Sequence, residues 1–183
     1  MFVRTDRLLL RPGWIEDAPA LVHAVGDEAI ARNTAMIPWP YSLADAEAYL
    51  GAARNPHAPN CLVFARTSGA PRLVGGVGIQ SHGQEHELGY WVARPYWGLG
   101  FATEAASALL RGARHSLKLA RIGSGHFIDN PASGRVLRKL GFRPTGKVVK
   151  RHSVARGGPV DCLLFADSET LCEEPAMRCL EAA

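Results

Sequence analysis

Eight consecutive residues carry the strongest chemical signal in this chain. Trp97-Gly98-Leu99-Gly100-Phe101-Ala102-Thr103-Glu104 lies between a strand pattern and the clearest helix pattern. The first turn of a helix has unpaired backbone N–H groups and a partial positive charge. Two glycines let a bulky anion approach that backbone closely. The ligand such a turn suits is a phosphate or pyrophosphate. The plainer alternative is a Gly-rich turn that holds nothing.

Other strings spell motifs but fail in context. His82-Gly83-Gln84-Glu85-His86 reads H-x-x-E-H, a zinc-protease string that needs both histidines on one helical face. Here it follows a Gly-rich strand and contains Gly83, so a turn between two strands explains it better and no metal is expected. Gly141 to Lys147 reads G-x-x-x-x-G-K, but Val148 stands where a magnesium-binding hydroxyl belongs. Gly141 already serves as a helix stop. Gly98-Leu99-Gly100 opens a dinucleotide fingerprint, yet Thr103 replaces its third glycine. The basic run Lys147, Lys150, Arg151 and Arg156 lacks interleaved aromatics, so a solvated hairpin is favoured over a nucleic-acid surface. Cys61, Cys162, Cys172 and Cys179 form no CxxC pair and read as free thiols of a reducing compartment.

The elements that must position these residues follow from hydrophobic period and caps. Residues 5–12 read as a strand. Residues 15–27 switch to helical spacing, with Ile15, Ala18, Leu21, Val22 and Val25 on one face. An irregular stretch, 33–41, holds Pro38, Trp39 and Pro40. A second helix starts at Ser42, with Asp45 at the capping-box position. Residues 61–67, 73–81 and 87–93 read as three strands. The helix over 99–117 carries the stripe Ala102, Ala105, Ala106, Leu109, Leu110, Ala113 and Leu117. A strand over 121–128 leads to a helix over 130–140, with Asn130 as N-cap, Pro131 at its first position and Gly141 past its end. Residues 148–154 and 160–166 read as a closing hairpin. The order is mixed α/β with a central antiparallel run, unlike the alternation of a doubly wound sheet.

The 183 residues suit one domain over 1–183, with 172–183 a short helix or frayed tail. Composition is ordinary for a globular chain, at 47% hydrophobic and 21% charged. A net charge of +4 is compatible with an anionic ligand but too small to indicate nucleic acid. No apolar run approaches the ~18 residues of a membrane span. Arg4, Arg7 and Arg11 surround only Leu8 to Leu10, too short an apolar block for a signal peptide. The expectation is a soluble cytoplasmic protein.

The stretch from Glu87 to Ala105, which includes Gly89-Tyr90-Trp91-Val92-Ala93 and the Gly turn, resembles the coenzyme A site of the GNAT acyltransferase superfamily. Asn130-Pro131-Ala132-Ser133 and Val136-Leu137-Arg138-Lys139-Leu140-Gly141-Phe142 resemble it too. The opening Thr5-Asp6-Arg7-Leu8-Leu9-Leu10-Arg11-Pro12 is similar to the start of the RimJ/RimL branch, the ribosomal-protein N-terminal acetyltransferases. The likeness extends to about Ser168.

The resemblance implies a mixed, mostly antiparallel V-shaped sheet of about seven strands with about four helices. The sheet is split between its fourth and fifth strands, and acetyl-CoA lies in the split. The backbone around Trp91, Val92 and Ala93 would pair with the pantetheine arm. The N–H groups around Gly98, Leu99, Gly100, Phe101, Ala102 and Thr103 would hold the pyrophosphate. Trp97 stands where the superfamily often has Arg or Gln, which removes a side-chain contact but leaves the backbone cradle. Asn130 would bond the pantetheine, although an N-cap before proline needs no ligand to explain it.

The implied reaction is acetyl transfer to a primary amine by direct attack in a ternary complex. By similarity Glu87 matches the general base, a backbone N–H near Val92 the oxyanion donor, and Ser133 the hydroxyl near the thioester sulfur and the candidate acid, directly or through water. The plainer alternatives are a strand glutamate paired with a cation and a polar residue in a first helical turn. Trp39 and Tyr41 should border the acceptor, with Trp14 beside them. A protein N-terminus, a lysine-like small amine and an aminoglycoside-like drug are all open as acceptors, as are monomer and homodimer. The competing class is a non-catalytic CoA-binding sensor.

Overall fold

A computed structural model describes residues 1–53, 55–82, 85–119 and 121–167. Its framework is one sheet of eight strands in the order β1-β2-β3-β4-β5-β6-β8-β7. These are β1 (Val3–Arg4), β2 (Leu8–Arg11), β3 (Asn60–Ala65), β4 (Arg72–His82), β5 (Glu85–Val92), β6 (Ile122–Phe127), β7 (Arg143–Ser153) and β8 (Gly158–Ala166). Every neighbouring pair is antiparallel except β5 with β6.

The helices are α1 (Ala18–Val25), α2 (Glu28–Arg32), α3 (Leu43–Gly51), α4 (Phe101–Leu117) and α5 (Pro131–Lys139). Three of them, α2, α3 and α5, begin at a side chain that satisfies an orphan amide. Ser42 and Asp45 close the expected capping box on α3, and the Asn130 side chain accepts from the Ser133 N–H at 3.3 Å on α5. Gly141, at φ +90°, follows α5 in the left-handed region.

The sheet separates two apolar layers. Leu8, Leu10, Val77, Ile79 and Leu88 pack on one side against Ala105, Ala106, Leu109 and Ala113 of α4, with Leu137 of α5. The alanines of this stripe let α4 lie close to the strands. Leu62 and Phe64 pack on the other side against Leu21 and Val25 of α1 and Leu50 of α3. No described helix is long and apolar enough to cross a membrane.

The eighth strand arises because the turn after Arg4 folds Val3 and Arg4 back onto Leu9 and Leu10. The fifth helix is the short α2, capped by Asp27 through the Ala29 N–H at 2.8 Å. β7 begins at Arg143, ahead of the expected strand. His82 pairs with Glu85 and Ser81 with His86 in the β4–β5 ladder, so His82, Glu85 and His86 of the H-x-x-E-H string belong to strands. The 172–183 tail, with Cys172 and Cys179, lies outside the described residues. Cys61 and Cys162 are free and buried.

β4 and β5 meet closely at Gly75, where an added Cβ would lie 2.5 Å from the Trp91 carbonyl oxygen. Backbone cannot yield there without moving β5. Gly75→Ala is expected to cost about 1–3 kcal/mol. Thermal unfolding should register this as a drop of about 2–4 °C per kcal/mol.

Candidate active site

β5 and β6 pair only at His86–Ile122 and Glu87–Gly123, and then part. Alternation along β5 decides which backbone groups face the gap. The Ala93 N–H donates to Val74 on β4 at 2.9 Å, whereas the Leu88 carbonyl accepts from Ser124 on β6 at 2.8 Å. Leu88, Tyr90 and Val92 therefore turn their backbone polar groups toward the opening. The Val92 carbonyl is taken by the Trp97 indole N–H at 2.6 Å. Trp97 thus ties the turn to the strand.

The turn itself needs its glycines. Gly98 and Gly100 sit at φ +78° and +81°, where side chains are strained. Nothing lies within 4 Å of a Cβ placed at Gly98. No side chain caps α4, so its first amides face open space.

The opening residues of the chain brace this turn from behind. The Thr5 hydroxyl donates to Glu104 Oε1 at 2.5 Å, and Arg7 Nε to Oε2 at 2.7 Å. Arg7 Nη1 also donates to the Leu99 carbonyl at 3.0 Å, and its guanidinium lies 4.7 Å from the Phe101 ring centre. Burial pushes the Glu104 carboxyl up, but hydrogen bonds from Thr5 and Arg7 outweigh it and hold the group below its ordinary value.

A cavity of about 420 Å³ opens beside this turn. Trp91, Val92, Trp97, Gly98, Gly100, Phe101, Ala102, Thr103 and Asn130 line it. Arg135 and Lys139, one helical turn apart on α5, add positive charge that the sequence reading missed. Open amides at a helix start, opposite a basic wall, fit a pyrophosphate-bearing ligand such as acetyl-CoA. Leu99 and Ala93 stand outside the cavity lining. The Leu99 carbonyl faces Arg7, and both Ala93 backbone groups are spent on Val74 and Tyr96.

A second cavity, of about 610 Å³, lies on the other side of the gap. Its walls include Ile37, Tyr41, Tyr49 and Trp91, with Glu87 and Arg151 among its charged groups. Asn33, Thr34, Tyr90, Trp91 and Ser133 line both cavities, so the two meet there. Burial pushes the Tyr41 phenol up to about 12.

Glu87 accepts from both terminal nitrogens of Arg151, the second at 3.0 Å. Hydrogen bonding to Glu87 drives the Arg151 guanidinium above its usual value. Arg151, noted in the sequence only as part of a basic hairpin, is thereby a site residue. Ser133 stands in the first turn of α5, its hydroxyl 2.8 Å from the Tyr90 phenol. Trp14 and Trp39 line neither cavity. Trp14 lies instead under the Arg11 guanidinium, 3.9 Å from its ring centre, while Arg11 pairs with Asp17 at 2.7 Å.

Residues 7–143 match the acetyltransferase (GNAT) domain family. An uncharacterized N-acetyltransferase of Bacillus subtilis (strain 168), YoaA, is 28% identical over 172 residues, covering 90% of this chain and 94% of its own. The crystal structure of a GNAT-family acetyltransferase from Bacillus anthracis superposes with a TM-score of 0.77 at 26% identity, over 93% of this chain and 99% of that one. RimL, the ribosomal L7/L12 alpha-N-protein acetyltransferase solved with coenzyme A, superposes with a TM-score of 0.75 at 21% identity, over 91% and 97% of the two chains.

Glu104→Gln removes the charge that Thr5 and Arg7 hold. Arg7 is half exposed, so screening limits the loss to about 1–2 kcal/mol at neutral pH. The depressed carboxyl contributes its stability above the ordinary glutamate pKa, and that contribution is lost as pH falls through the lower folded value. Thermal melts from neutral to acid pH should show the wild-type advantage closing over that window.

Proposed function

The chain belongs to the GNAT acetyltransferase family and is an acetyl-CoA-dependent N-acetyltransferase, and from that premise we propose that it acetylates a primary amine by direct attack in a ternary complex. The observation that carries this reading is the meeting of two cavities at Tyr90, Trp91 and Ser133. One has open helix-start amides and a basic wall, and the other has a carboxylate at its edge.

Bound acetyl-CoA supplies an activated acetyl thioester. The residues that suit its pyrophosphate are the amides from Gly98 to Thr103, with Arg135 and Lys139 flanking. Trp91, Val92 and Asn130 suit the pantetheine. Glu87 takes up the ammonium proton, directly or through water, because a lysine-like amine with a pKa near ~10.4 cannot attack while protonated. The Val92 N–H donates to the developing oxyanion. Ser133 donates a hydrogen bond to the departing sulfur. Tyr41, Ile37 and Trp91 suit an amine on an apolar or aromatic body, either a protein N-terminus or a small molecule. The opening Thr5-Asp6-Arg7 and the likeness to RimL support a place in the RimJ/RimL branch. The free buried thiols Cys61 and Cys162 suit a cytoplasmic setting.

Acetyl-CoA at about 100 times its Kd should stabilise the protein by about 2.7 kcal/mol. That corresponds to a rise of about 5–10 °C in Tm, with ATP and NAD giving none. Glu87→Gln should lower turnover by about 10²-fold with acetyl-CoA affinity unchanged. An active Glu87→Gln variant across the pH range removes Glu87 from the mechanism. Acetyl-CoA binding without transfer to any amine would mark a sensor.

A further inference from the structure

The contact between Tyr90 and Ser133 has no part in the mechanism above, yet it sits where the two cavities meet. Tyr90 shares a face of β5 with Leu88, opposite the face that carries Glu87. Its ring packs against the core under α4 and α5. Its phenol oxygen lies 2.8 Å from Ser133 Oγ and 3.1 Å from the Ser133 carbonyl oxygen. Ser133 is fixed from its other side, where its N–H donates to the Asn130 carbonyl at 3.2 Å and to Asn130 Oδ1 at 3.3 Å. Tyr90 on the strand therefore holds the serine hydroxyl, while the helix cap holds the serine backbone.

We infer that Tyr90 is a positioning residue acting through Ser133: its phenol donates to Ser133 Oγ and turns the serine proton toward the sulfur of bound CoA. The inference rests on the reading of Ser133 as the sulfur's hydrogen-bond donor. The phenol's single proton lies between Ser133 Oγ at 2.8 Å and the Ser133 carbonyl, an acceptor only, at 3.1 Å, and the shorter contact sets the direction of the bond. Burial pushes the Tyr90 phenol up to about 12, against the smaller opposing effect of the Ser133 bond, so it keeps its proton at working pH. An Oγ that accepts from Tyr90 has its own proton left to point away from the ring. When the carbon–sulfur bond breaks, sulfur takes the electron pair and accepts the Ser133 hydrogen bond. No proton leaves Tyr90 or Ser133, and solvent protonates the thiolate.

The product CoA tests this without knowledge of the acceptor. The thiol of CoA bound to the full chain is titrated by thiolate ultraviolet absorbance, with desulfo-CoA as the blank that cancels protein thiols. Ser133→Ala should raise the bound thiol pKa by about one unit, a tenfold change in its thiolate ratio. Tyr90→Phe should raise it by about half a unit, with the thiolate form of CoA losing about threefold in affinity relative to the thiol form. The double variant should match Ser133→Ala alone, because Tyr90 has no route to sulfur without the serine hydroxyl. Ser133→Thr keeps a hydroxyl, and in that background Tyr90→Phe should retain its effect; this comparison stands if Ser133→Ala does not fold. An unshifted Tyr90→Phe, or a double variant that adds both shifts, overturns the Tyr90 inference alone. An unshifted Ser133→Ala overturns the reading of Ser133 and this inference with it.

Discussion

The constraint on which the site depends is the early end of the one parallel pairing in the sheet. β5 and β6 hold each other at two register positions and then diverge. A buried strand normally satisfies its N–H and C=O groups on both sides. Here the second half of β5 turns one side of its backbone to a gap, which a ligand with amide groups of its own can enter as an added strand. The antiparallel ladder from Gly75–Val92 to His82–Glu85 keeps β5 straight on its other side. β8, paired with β6 from Gly123 to Phe127, keeps the second wall in place. The opening persists because each wall is stiffened from outside.

Local chemistry made much of this legible in the sequence. The Gly turn before α4, the Ser42–Asp45 box and the Asn130-Pro131 start of α5 each depend on residues a few positions apart. Sequence reasoning follows such spacings well. The GNAT likeness then supplied the split and the cofactor, which no periodicity would have given.

The site's side-chain partners were hidden for the opposite reason. Arg151 meets Glu87 across 64 positions, and Tyr90 meets Ser133 across 43. The strand alternation that places Tyr90 opposite Glu87 was readable, but its partner on α5 was not. Aromatic rings serve cations as readily as pockets, so residue type alone did not sort them. Trp14 is claimed by Arg11, while Tyr41 does line the cavity. The basic hairpin read as a solvated face because nothing in it announced that Arg151 turns inward.

The brace behind the Gly turn joins positions 97 apart in the chain. During synthesis Arg7 emerges long before Glu104, and its guanidinium stays in water until α4 exists to receive it. Closing so long a loop carries an entropic cost that only non-local contacts repay. The Gly turn thus takes its braced shape only once α4 and the segment before β2 have come together.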